Sequence, residues 1–178
     1  METVYVLQIV TILVSVINII FTLLVSIYTN RAQNVANIVA KQRLVFLQQY
    51  REKSSLLLTL CTPDVLARSS DTHFEKELLQ ISFELKSLFK QCYDEENLIL
   101  LEIDKVVSTA LEFKENTGNL SNRENLNRSI QHLFLLINTY DLAYWRFIID
   151  QASGRRYKVD DFDKYYADAE KRFKNHIL

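Results

Sequence analysis

The run VYVLQIVTILVSVINIIFTLLVSIY, Val4 to Tyr28, limits the possible folds more than any other part of the chain, because its 25 residues carry no charge. At 1.5 Å per residue, about 20 apolar residues in a helix cross the hydrocarbon core of a bilayer. A secretory signal needs a basic start, an apolar stretch of about 7 to 15 residues and small residues before a cleavage point. This chain starts Met1-Glu2-Thr3, exceeds that length, and leaves the run through Tyr28-Thr29-Asn30-Arg31. The expectation is an uncleaved transmembrane helix. No Lys or Arg precedes it, whereas Arg31, Lys41, Arg43, Arg51 and Lys53 follow, so the positive-inside rule places the C-terminal part in the cytoplasm and the N-terminus outside.

Six polar residues interrupt the run: Gln8, Thr11, Ser15, Asn18, Thr22 and Ser26. Their spacing of three and four confines them to an arc of roughly 80° at 100° per residue. Lipid tails cannot satisfy the amides of Gln8 and Asn18, so this face predicts association with another copy, as a dry seam or lining a water-filled pore. Serine and threonine are weaker signals, since their hydroxyls can bond back to their own helix. Asn18, near mid-span, therefore carries most of the inference. The same spacing extends through Thr29, Gln33, Ala36 and Ala40 to Leu44 and Leu47.

Two glycines and one proline in 178 residues leave little material for hairpins and tight turns. The expected fold is all-α: a transmembrane anchor over 1–30, a juxtamembrane helical stalk over 31–62, and a cytosolic domain over 63–178 with about four helices. Thr72-His73-Phe74-Glu75 and Ser121-Asn122-Arg123-Glu124 read as capping boxes. Between them Asp94-Glu95-Glu96 suits a helix start, with Leu98, Leu101, Val106 and Leu111 as its apolar members. The helix after Ser121 offers Leu126, Ile130, Leu133, Phe134, Ile137, Tyr140, Trp145 and Ile148 to a core, and its length suggests a kink or a protrusion. Gly154 ends it, before a charged final helix over 159–175. Net charge is unevenly spread: +4 over 31–60, -6 over 61–152 and +2 over 153–178.

No phosphate-binding glycine loop, nucleophile elbow, H-E-x-x-H or zinc-spaced Cys/His cluster occurs. His73, His132 and His176 are dispersed, and Cys61 and Cys92 fall on apolar faces as reduced, packed thiols. No catalytic residue, metal site or cofactor is expected. Ser153-Gly154-Arg155-Arg156-Tyr157-Lys158, close after Arg146, stands out. Two guanidinium groups, an ammonium and an aromatic ring suit phosphate oxygens and a stacked base. Arg146, Arg155, Arg156, Tyr157 and Lys158 are thus the candidate anion or nucleotide ligands, with a solvated basic turn balanced by Asp160, Asp161 and Asp163 as the alternative.

The span Val4 to Tyr28, the juxtamembrane KQRLVFLQQYREKS and the glycine-poor helical remainder together resemble small bacterial membrane-anchored phage-defence effectors, including those gated by cyclic oligoadenylates from type III CRISPR complexes. The resemblance is architectural. It implies a homo-oligomeric, non-enzymatic effector or sensor of the bacterial inner membrane, whose partners are the bilayer, other copies and a cyclic oligonucleotide, with no duplex nucleic acid. A membrane-tethered adaptor with a helical protein-binding domain is the other reading.

Overall fold

The computed structural model describes residues 2–69, 72–90, 93–117, 119–152 and 162–177, less the side chains of 2–12, 31–32, 35–36, 72 and 175–177. These residues form six α-helices and no strand: α1 (Glu2–Leu60), α2 (Pro63–Arg68), α3 (Thr72–Leu88), α4 (Asp94–Glu115), α5 (Leu120–Ala152) and α6 (Phe162–Ile177).

Helix α1 is unbroken over 59 residues. It joins two segments of different character. Leu13–Asn30 is apolar, uncharged and fully exposed, and is long enough to cross a membrane. From Ala40 onward, by contrast, α1 supplies core residues: Ala40, Leu47, Tyr50, Leu57 and Leu60 are buried. Within the expected stalk over 31–62, the described side chains of the neck, up to Ile38, are exposed, and from Ala40 the helix packs into the core. Pro63 sets the end of this rod. It has no N–H to continue α1, and it occupies the first turn of α2, where that donor is not needed.

Helix α5 is the spine. It lies antiparallel to α1, since Arg43 meets Phe147, Phe46 meets Tyr144 and Tyr50 meets Tyr140 in descending order along α5. The Tyr50 hydroxyl also donates to the Ile137 carbonyl at 3.2 Å, and Arg51 donates to Asp141 through two hydrogen bonds of 2.6 and 3.0 Å. It is also antiparallel to α4, with Tyr140 joined to Glu96 near one end and His132 to Glu102 further along. Helix α3 fills the space between α1 and α4, fixed by Lys53–Glu84 on one side and by Lys86–Asp104 and Lys114–Glu75 on the other. The long α5 is core-lined from Leu126 to Ile148, so it does not protrude.

Several local expectations change. Asn119, not Ser121, caps α5: its side-chain oxygen accepts the Ser121 backbone N–H at 2.9 Å. Glu75 uses its carboxylate on Lys114 of α4. In α4 the buried face carries Ile99, Ile103, Val106, Val107, Ala110 and Phe113, and leaves Leu98 and Leu101 exposed. Phe134 and Trp145 of α5 and Leu44 of α1 are also exposed. Cys61 is buried and free, and burial pushes its thiol up to about 12. Cys92 lies outside the described residues.

Candidate functional site

Among the described side chains of the expected membrane face, the Thr22 hydroxyl is satisfied within its own helix and the Asn18 amide is exposed. Thr22 Oγ1 donates to the Asn18 carbonyl at 2.8 Å, and one residue beyond the run Thr29 Oγ1 lies 2.9 Å from the Val25 carbonyl and 3.1 Å from that of Ser26. These hydroxyls need no other helix. Ser15, Asn18 and Ser26 are exposed as well. The side chains of Gln8 and Thr11 lie outside those described. Asn18 is thus the strongly polar group that the described span holds out to its surroundings.

The three-and-four spacing that places Asn18 continues beyond the apolar run. Followed through Thr29, Gln33 and Ala40 and past the exposed Leu44, it leads into Leu47, Tyr50, Ser54, Leu57 and Cys61, all buried. On an ideal helix Asn18 and Leu47 lie about 20° apart in azimuth at 100° per residue. The polar face of the span and the packed face of the bundle are therefore one continuous side of a single rod.

Around Tyr50 the packing is largely aromatic. Its ring contacts Phe89, just after α3, at 5.6 Å and Tyr140 of α5 at 5.4 Å, and Tyr140, Tyr144 and Phe147 all contact Phe162 of α6. Four helices thus meet at one cluster. Burial, followed by the charge of Asp141, raises the Tyr50 phenol well above its ordinary value. Tyr140 shifts the same way through burial and then Glu96. Toward the apolar run, the Arg43 guanidinium lies 4.6 Å from the Phe147 ring centre, with one buried nitrogen, Nη1, lacking a hydrogen-bond partner. None of these long-range pairs follows from local sequence patterns.

A groove of about 530 Å3 runs between α1 and α5, with the Arg51–Asp141 pair at one end and Leu58, Ile130, Phe134 and Ile137 along it. Arg51 also lies over the Trp145 ring at 5.8 Å. Its guanidinium is held protonated by the hydrogen bond to Asp141.

Of the candidate anion ligands, Arg146 is half-buried on α5, whereas Arg155, Arg156, Tyr157 and Lys158 lie outside the described residues. Asp150, one helical turn beyond Arg146, accepts a hydrogen bond from the Tyr165 hydroxyl of α6. His132 Nδ1 lies 3.2 Å from Glu102, and among the described residues no group of three His, Cys, Asp or Glu could hold a metal ion. No family model matches this chain, and no curated protein or solved structure is significantly similar to it.

Proposed function

We propose that the chain is a homo-oligomeric, single-pass effector or sensor of the bacterial inner membrane, in which the soluble helices control how the spans pack. The carrying observation is the shared side of α1. Because the rod is unbroken from Leu13 to Leu60, a tilt or rotation imposed on Leu47, Tyr50 and Leu57 by α3 and α5 turns Asn18 with it. A seam of spans packed through Asn18 then loosens or tightens, which is the step that perturbs the membrane. The positive flank after Asn30 supports an N-terminus outside and a cytoplasmic bundle.

The trigger in this reading is an anionic ligand such as a cyclic oligonucleotide, held by Arg146, Arg155, Arg156, Tyr157 and Lys158, and the setting is antiphage defence. Calorimetry with a ligand that binds the wild type tests the site: Arg155→Ala with Arg156→Ala weakens binding, and unchanged affinity removes these residues from it. Membrane depolarisation in cells tests the effector role. The wild type depolarises on phage infection and Asn18→Leu does not; equal harmlessness of both under every inducing condition rejects the proposal.

A membrane-tethered adaptor is the second reading, favoured by the α1/α5 groove and by the exposed Phe83 and Leu101. Exchange of the whole span for an unrelated apolar helix separates the two. Function survives in an adaptor and is lost in an effector.

A further inference from the structure

The direction of α6 brings the basic end of the chain to the bilayer. Helix α6 packs on α5 and, among the described residues, on no other helix. It occupies the same side of α5 as α4 but further along: Phe162 sits against Tyr140, Tyr144 and Phe147, and Tyr165 against Phe147 and Asp150. Tyr93, just before α4, stacks on Phe162 at 4.4 Å. The N-termini of α4 and α6 therefore abut, and the two helices run in opposite directions away from that point.

With α4 antiparallel to α5, α6 runs parallel to it, toward the end of α5 at Ala152. Because α5 is antiparallel to α1, that end lies beside the neck of α1 and faces the span. In register with α5, the last turns of α6 extend past Ala152 by about two turns, or ~10 Å at 1.5 Å per residue. They carry Lys171, Arg172 and Lys174, all exposed. Lys174 is within 2.8 Å of Glu170, one turn back; Asp168 lies one turn before Lys171 and Arg172, and Asp163 is in the first turn of the helix.

We infer that Lys171, Arg172 and Lys174 form a basic foot that rests on anionic phospholipid headgroups of the same bilayer that α1 crosses. The inference depends on Leu13–Asn30 spanning the membrane. The occupant follows from position and charge: the neck from 31 to 38 holds this end of the bundle within a short distance of the headgroups, and an anionic leaflet attracts basic side chains within about one Debye length, ~8 Å at physiological salt.

The full-length protein is reconstituted in vesicles of phosphatidylcholine alone, or with about 30% phosphatidylglycerol, and acylation rates of individual lysines are read by mass spectrometry. In anionic vesicles Lys171 and Lys174 react about three- to fivefold more slowly than in neutral ones. High salt removes the difference, and Lys76, exposed at the opposite end of the bundle on α3, is unaffected. Lys171→Glu with Arg172→Glu returns Lys174 to its neutral-vesicle rate, with circular dichroism confirming helix content. Equal rates for Lys171 and Lys174 in both vesicle types overturn the inference, as does an equal slowing of Lys76. Resistance to carbonate extraction from neutral vesicles reports the span separately, so failure of the foot and failure of the anchor are distinguishable.

Discussion

The Tyr140 hydroxyl donates to Glu96 Oε1 at 2.7 Å, and both residues are buried where α4 meets α5. A carboxylate on the first turn of a helix gains from the helix dipole, and the phenol supplies a donor that solvent does not. The contact is tied to the aromatic cluster, because the ring carrying this hydroxyl also touches Tyr50, Phe89 and Phe162.

Tyr140→Phe keeps the ring and removes that donor from a buried acceptor. Loss of a hydrogen bond to a charged group costs about 1.5–3 kcal/mol. Thermal or denaturant unfolding of the variant in detergent should show this loss with helix content unchanged. A loss below about 0.5 kcal/mol would mean that the Glu96 carboxylate is satisfied without Tyr140.

Glu95 responds to pH in the opposite sense from a salt-bridged acid. Burial raises its carboxyl above the ordinary glutamate range, and the charges of Asp163, Asp94 and Glu96 add to this. The folded state thus holds this proton more tightly than the unfolded state. Its contribution to stability falls as pH rises from the ordinary glutamate range through the raised value. Glu95→Gln should raise the melting temperature at neutral pH, with the gain shrinking as the medium is acidified. A constant difference between pH 4 and 7 would remove Glu95 as the cause.

Alkaline pH should act on the buried phenols. Tyr166 is pushed up to about 12 by burial and then by Glu95 and Glu170, against 10.0 for a free phenol. Stability from such a group is complete below pH 10 and is lost as pH rises toward 12, because unfolded tyrosine ionises first. In a spectrophotometric titration, exposed tyrosines should ionise near pH 10 and a later group should ionise together with loss of helical signal. Ionisation of all tyrosines in one early step, with helicity intact, would contradict the described burial.

Phase along α1 can be tested by insertion into the neck. One alanine after Asn37 rotates Asn18 by about 100° relative to Leu47 and should abolish activity, whereas seven residues, close to two whole turns, should largely restore it. Depolarisation or cysteine cross-linking within the span would report this. Equal activity of both insertions would show that the neck transmits no rotation.

The all-helical fold and the N-terminal apolar helix were legible in the sequence because they rest on strong signals: glycine and proline scarcity, and 25 uncharged residues in succession. The faces of individual helices were less legible. In α4, Leu98 to Leu101 form an apolar block most of the way around the helix, so periodicity alone could not prefer Ile99 over Leu101. Glu96 and Glu102 point inward because Tyr140 and His132 await them on another helix. Arg51–Asp141 and Arg43–Phe147 likewise join residues some ninety or more positions apart, where no local pattern announces them.

The common side of α1 also bears on how copies could crowd together. Helices packed through Asn18 approach to about 8–10 Å, but the same side carries α3 and α5 from Ala40 onward. An assembly that turned Asn18 inward would bring these bulky helices over its own axis, where there is room for far less than a full domain per copy. The soluble part then acts as a wedge: close contact in the bilayer requires the spans to tilt outward below it, or the wedge to give way.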